Sequence, residues 1–257
     1  RKWDQNMRPV PDNVCLISME QARENLEQGE IDCIIAHNVK DLIEVKDYSL
    51  PKIMVFHNCL TTEIKLGNNK VNRNEYLQKL TPLFEGVTKI FISEMKKADW
   101  EMQGEVILPG LDISEYGGYS GNEKKVLRVG NLLKERDLMM GYSFGEKVLK
   151  NHPLLTLGMN PGIPESRISN GFGDLHNQFR NNRVYINTTV DGFEDGYNLA
   201  MLEAMATGMP VVTSKNKTSP ICDGVNGFSS NDPDHLNRCI ENLMQDPVLA
   251  KEMGEVA

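Results

Sequence analysis

A chain of 257 residues, 40% hydrophobic and 25% charged, is long enough for one large or two modest domains and apolar enough for a real core. Its net charge of −8 argues against a general nucleic-acid binder, which needs a basic face. No run of ~18 apolar residues is present, so no membrane span is expected.

Short apolar runs alternate with helical patterns through the first half. Asn13–Ser18 reads as a strand, Met19–Gln28 as a helix ending before Gly29, and Asp32–Ala36 as a second strand followed by His37. A short helix is expected near Val39–Val45, then a strand over Lys52–Phe56 followed by His57 and Asn58. Arg73–Phe84 has the pattern of an amphipathic helix. Lys89–Ile92 reads as the fourth strand, Ser93 as the cap of a helix over Glu94–Trp100, and Glu105–Leu108 as the fifth strand. Strands alternating with helices imply a parallel sheet, where function gathers at the carboxyl ends of the strands. His37, His57 and Ser93 stand at such ends. His57 is the preferred candidate, since an imidazole there can hydrogen-bond a substrate hydroxyl or the reacting centre.

The Gly- and Ser-rich stretch from Gly117 to Asn122 marks a linker, so a first domain is expected over residues 1–115 and a second over 116–257. A strand over Lys125–Gly130 leads into Gly130, Asn131, Lys134 and Arg136, whose cations could neutralise a diphosphate. Asp137–Asn151 reads as a helix interrupted by Gly141 and Gly145, and Leu154–Gly158 as a strand. Pro161–Gly173 reads as a loop, Asp174–Arg180 as a short helix, and Val184–Asn187 as a strand. Asp232–Gln245 is amphipathic, with Leu236, Ile240 and Leu243 on one face. Asp232-Pro233-Asp234 therefore reads as a helix start, not as a metal motif.

The most informative stretch is Val190–Thr213. Asn198 can cap a helix over Leu199–Thr207, Gly208 suits the position past its end, and Pro-Val-Val-Thr reads as a core strand. The open amides and positive dipole end of such a helix can hold a phosphate. Asp195 precedes the helix and Glu203 follows eight residues later, inside it. One carboxylate can accept ribose hydroxyls, and another can stabilise positive charge on a reacting sugar.

This stretch resembles the donor-site signature of retaining glycosyltransferases of the family that includes sucrose and mannosyl transferases: Glu, seven residues, Glu, then Ala-Met-Ala-x-Gly-x-Pro-Val-Val. Asp195 stands where the first Glu is expected, unless Glu194 takes that place. Pro51–Asn58 resembles the family's strand ending in His-Asp, with Asn58 in place of the acid. Leu108–Asp112 resembles the Pro-Asn-Gly-Val-Asp that leaves the first domain. Asn131 stands in the register of the family's Arg, and Arg136 in that of its Lys, with Lys134 as the alternative cation. Phe172 falls near the expected nucleobase contact. Ile221–Phe228 resembles a family hairpin, with Ser219 where its usual upstream Glu would stand.

The resemblance implies an α/β fold of two Rossmann-like domains with parallel sheets facing a cleft (GT-B type), the first domain shortened. It implies metal-independent transfer of a sugar from a nucleoside-diphosphate sugar, as co-substrate and not cofactor, to a glycan, lipid or small-molecule acceptor, with retention of configuration. Glu203 would meet the ribose and Asp195 the donor sugar. The amides of Gly196, Tyr197, Asn198 and Leu199 would hold the diphosphate with Arg136, and His57 would face the reacting sugar. A sugar-nucleotide epimerase and a non-catalytic nucleotide-sugar-binding partner subunit are the alternatives. Cys15, Cys33, Cys59, Cys222 and Cys239 are odd in number and widely spaced, as in reduced cytoplasmic proteins, and peripheral membrane contact is left open. The chain opens on Arg1-Lys2-Trp3 and not on Met, so its start is expected to be missing.

Overall fold

The computed structural model describes residues 5–67 and 71–257; Arg1 to Trp3 lie outside the described residues. The protein is α/β, with two compact units that each carry a parallel sheet. One unit is Val10–Pro109. The other joins Gly110–Ala257 to the segment ending at Pro9. The division therefore precedes the Gly-rich linker, and the first residues do not belong with the first sheet. The cause is pairing across distant parts of the chain: the Phe172 amide donates to the Asn6 carbonyl at 3.0 Å, and Arg8 pairs with Glu115 at 2.9 Å.

The first unit runs α1 (Met19–Gln28), β1 (Ile34–Ala36), α2 (Val39–Glu44), β2 (Lys52–Phe56), α3 (Leu60–Leu66), α4 (Arg73–Leu80), β3 (Val87–Phe91), α5 (Glu94–Trp100) and β4 (Glu105–Val106). Its sheet has the order β1-β2-β3-β4. Phe56 and Phe91 are register partners, and their rings stack at 4.6 Å, with Trp100 edge-on to Phe56 at 4.7 Å. This aromatic group sits in the apolar core and fixes the spacing of β2, β3 and α5.

The expected strand over Asn13–Ser18 does not form. Val14, Leu16 and Ile17 are 44%, 53% and 49% exposed, and Ser18 instead caps α1 by accepting the Gln21 amide at 3.1 Å. An extended run without a ladder partner gains no burial to offset its ordering. Conversely, α3 was not expected, because its threonines and isoleucine are weak helix formers. Asp99 of α5 supplies what is missing locally: its carboxylate accepts from the Thr61 amide at 2.8 Å and the Thr61 hydroxyl at 2.6 Å, at the helix's positive end.

The second unit runs β5 (Glu123–Val129), α6 (Asp137–Met140), α7 (Tyr142–Leu149), β6 (Leu154–Leu157), α8 (Gly171–Asn181), β7 (Asn182–Asn187), α9 (Leu199–Thr207), β8 (Val211–Thr213), β9 (Gly227–Ser229), α10 (Pro233–Gln245) and α11 (Pro247–Glu255). The sheet order is β6-β5-β7-β8-β9. Every residue of the central β7 is buried, as a strand covered on both faces requires. Leu236, Ile240 and Leu243 of α10 pack with Val126, Val184 and Val212 in one core.

Gly141 interrupts the helix after residue 137 as expected, dividing it into α6 and α7, whereas Gly145 lies within α7. The φ of Gly141 is 59°, and a Cβ there would stand 2.0 Å from the Thr188 carbonyl oxygen, so only glycine lets α6 approach the loop after β7. The hairpin expected at Ile221–Phe228 is instead a turn leading into β9, which pairs parallel to β8. Among the described residues, no helix is long and apolar enough to cross a membrane.

Candidate functional site

The loop from β7 into α9 is fixed by a knot of asparagine side chains. Asn198 caps the helix by accepting the Met201 amide at 2.8 Å, and its own amide donates to Asn187 Oδ1 at 3.1 Å. The Asn187 side chain in turn donates to the Gly196 carbonyl at 3.2 Å. Asn198 is thus both cap and tether, and it ties the helix start to the end of the central strand.

The four residues expected to offer amides to a phosphate divide unequally. The Gly196 amide donates to Thr218 Oγ1 at 2.7 Å, so it is not open. The site for a Cβ at Gly196 is filled by Ser219, whose backbone nitrogen would lie at 2.5 Å. Tyr197 is half-buried against the core beneath the sheet. The cap satisfies Met201, and Leu202 donates to the Asn198 carbonyl at 3.0 Å. The Leu199 and Ala200 amides open the helix, and Leu199 is 50% exposed. An anion at this helix start would therefore meet the Leu199 and Ala200 amides and not that of Gly196.

Asp195 is buried, at 2% exposed, while the neighbouring Glu194 turns its carboxylate onto the Asp195 amide at 3.0 Å. Glu203, just over one turn into α9, is half-buried. Its Oε1 accepts from the Tyr116 hydroxyl at 2.9 Å. Arg8 donates to the Tyr116 oxygen at 3.2 Å and to Glu115 at 2.9 Å, and lies 4.1 Å over the Phe172 ring. Burial pushes the Glu203 carboxyl up from its ordinary value, while the Tyr116 hydrogen bond and Arg8 draw it back down. Phe172, expected in a loop, lies in the first turn of α8, its ring 3.9 Å from that of His176.

The loop after β5 lies beside that after β7, because the two strands pair in parallel. Asn131 is exposed, but its Oδ1 accepts the Met159 amide at 2.7 Å, which ties the β5 and β6 loops together. Gly158 permits the close approach of those loops: a Cβ there would stand 2.1 Å from the Gly130 carbonyl oxygen. Lys134 is exposed, and Arg136 is half-buried with a contact to the Met139 sulfur at 3.3 Å. α6 is fastened to the β7 loop through the Val190 amide, which donates to the Met139 carbonyl at 3.0 Å. A cavity of about 240 Å³ at this edge is lined by Met7, Gly130, Asn131, Gly158, Met159 and Ser169.

In the first unit, His37 and His57 follow adjacent parallel strands, and His37 Nδ1 lies 2.9 Å from His57 Nε2. The His57 ring is held below its ordinary pKa by burial first, then by His37 and by Lys96. Lys96 of α5 is only 1% exposed. The sequence pointed to His57 and, less strongly, His37. It did not reveal Arg8, Tyr116, Lys96 or Thr218, because each meets its partners through contacts distant in sequence or through burial, neither of which any local pattern encodes. Among the described residues, no group of three or more His, Cys, Asp or Glu side chains is placed to hold a metal ion.

None of the curated proteins compared matches the chain. Several solved structures do. That of Anabaena Alr3699/HepE in complex with UDP and glucose has a TM-score of 0.67 at 16% identity, covering 95% of this chain and 78% of its own. An alpha-glucosyltransferase in complex with UDP and a 13-mer DNA has a TM-score of 0.62 at 12% identity, covering 93% and 78%. A glycosyltransferase from Rickettsia africae has a TM-score of 0.60 at 13% identity, covering 92% and 73%. At these identities the likeness is one of fold, that of two Rossmann-like units of the GT-B class. Residues 144–246, which hold Asp195, Asn198 and Glu203, match the family described as "Glycosyl transferases group 1".

Proposed function

We propose that the protein is a glycosyltransferase that moves a sugar from a nucleoside-diphosphate sugar to a glycan, lipid or small-molecule acceptor, with retention of configuration and without a metal ion. Glu203 accepts hydrogen bonds from the ribose. The Leu199 and Ala200 amides, with Arg136 and Lys134, receive the diphosphate. Asp195 serves the donor sugar. The observation that carries this reading is the pairing of a capped helix start, whose first amides are open, with a half-buried carboxylate just over one turn on. Both lie within the stretch that matches the glycosyltransferase family.

Calorimetry against UDP, GDP, ADP and their sugars tests the reading. Binding by one of them, lost in a folded Glu203→Ala variant, is the expected outcome. No binding by any of them overturns it. NMR of the anomeric proton of the product separates retention from inversion.

One feature favours a second reading, that of a nucleotide-sugar-binding partner subunit without catalysis. Asn131 stands in the register of a family cation, and its side chain is occupied by the Met159 amide. Such a subunit binds the nucleotide yet neither hydrolyses nor transfers its sugar, so a donor-turnover assay separates the two.

A further inference from the structure

The carboxylate of Glu203 is held by groups that lie far from α9 in the chain. Tyr116, 87 positions earlier, donates its hydroxyl to Oε1 at 2.9 Å. Arg8, 108 positions before Tyr116, donates to that hydroxyl oxygen at 3.2 Å. A cation on the oxygen polarises the hydroxyl and strengthens its donation to the carboxylate. Arg8 itself is fixed from two sides, by Glu115 at 2.9 Å and by the face of Phe172 at 4.1 Å. The Asn6 carbonyl accepts the Phe172 amide, and a Cβ at Gly171 would press on that carbonyl at 2.8 Å, so the segment before Pro9 is seated closely on α8.

We infer that Tyr116 is the positioning residue of the Glu203 carboxylate, and that Arg8, laid on Phe172, supports the pair, so that residues 6–8 form part of the nucleotide site. This rests on Glu203 being the ribose acceptor proposed above. A carboxylate has about four lone-pair sites. With one of them on Oε1 engaged by Tyr116, the carboxylate is fixed in direction and still has room for two ribose hydroxyls. A neutral carboxyl would lose an acceptor and turn the wrong way.

Several groups face Glu203 or its partners. Arg8 and the Tyr116 hydroxyl favour the ionised form, and Glu115 opposes it. Tyr185 of β7 is wholly buried and stays a neutral phenol. His176, whose ring centroid is 4.7 Å from that of Tyr116, is held below its ordinary pKa by burial and by Arg180 and Arg8, with Glu115 opposing.

The test is the Tyr116→Phe variant, which keeps the ring against His176 and removes only the hydroxyl. UDP, GDP and ADP are titrated into wild type, and the one that binds is compared with its 2′-deoxy analogue. In wild type the deoxy analogue binds more weakly. In Tyr116→Phe the parent nucleotide weakens roughly tenfold, the scale of one hydrogen bond to a charged group, and the penalty for the missing hydroxyl shrinks. The pH below which binding fades also moves up. Arg8→Ala moves both in the same direction by less.

A folded Tyr116→Phe protein with wild-type affinity, an unchanged deoxy penalty and an unchanged pH profile overturns the inference while leaving the donor-site reading intact. Failure of all three nucleotides to bind wild type overturns that reading and this inference with it. Carbon-detected NMR titration of Glu203 reads the carboxyl without any ligand. Its midpoint rises in Tyr116→Phe if the hydroxyl supports the ionised form, and an unmoved midpoint counts against the inference.

Discussion

His37 Nδ1 and His57 Nε2 lie 2.9 Å apart, at the carboxyl ends of two adjacent parallel strands. At that distance one nitrogen donates and the other accepts, so the pair shares a single proton between the facing atoms. A second proton there would set two N–H donors head to head and leave one ring charged. Burial, His37 and Lys96 all act against charge on His57.

It follows that His57 titrates below its ordinary value of 6.5. The folded protein then binds fewer protons than the unfolded chain as pH falls below that value. The contribution to stability is therefore present above about pH 6.5 and is lost as pH falls through the folded pKa. Replacing His37 by Asn removes one group that opposes charge on His57 and raises its midpoint. NMR titration of the imidazole carbons measures this, and a midpoint that stays put or drops contradicts it.

Glu203 has the opposite sign. Its folded pKa lies above the ordinary value of 4.5, chiefly through burial. The folded state holds its proton longer than the unfolded chain, so stability from this group declines as pH rises through the folded pKa. Glu203→Gln keeps the size and removes the charge. Its melting temperature should be equal to or above that of wild type at pH 8, with nucleotide binding reduced at least tenfold. Thermal melts at pH 5 and pH 8 check the sign, and a variant that is less stable only at pH 8 contradicts it.

Gly196→Ala tests the packing of the donor loop. Its Cβ would meet the Ser219 backbone nitrogen at 2.5 Å and its Cα at 2.7 Å, with the Gly196 amide tied to Thr218. Overpacking of this kind costs about 1–3 kcal/mol. Denaturant unfolding should show that loss, with weaker nucleotide binding at temperatures where the variant is still folded. At Gly192, where a Cβ would meet nothing within 4 Å, alanine carries only the strain of a φ of 82°. That variant should melt earlier yet bind nucleotide as wild type does.

Arg136→Ala separates phosphate binding from nucleoside binding. Arg136 ends the turn that leads into α6, half-buried, with a sulfur contact and no ion pair among the described residues. A guanidinium lost from a diphosphate should lower nucleoside-diphosphate affinity about tenfold and leave the free nucleoside unaffected. Calorimetry of the two ligands side by side decides it. Equal losses for both would mean that Arg136 acts on the fold of the loop.

Much of the architecture was legible in the order of residues. The limits of α9, its Asn198 cap and the glycine beyond it follow from local chemistry, and so do the parallel arrangement and the placement of His57 at a strand end. Such features depend on neighbours within a few residues, where propensity, capping and periodicity act. Tertiary structure alone decided that Asn13–Ser18 stays outside the sheet, that α3 forms under the Asp99 carboxylate, and that the Gly196 amide is closed by Thr218. It also decided that Arg8 and Tyr116 converge on Glu203. Each is a contact between chain positions far apart, set by how elements pack, and a polar group's partner across such a distance leaves no periodic trace in the sequence.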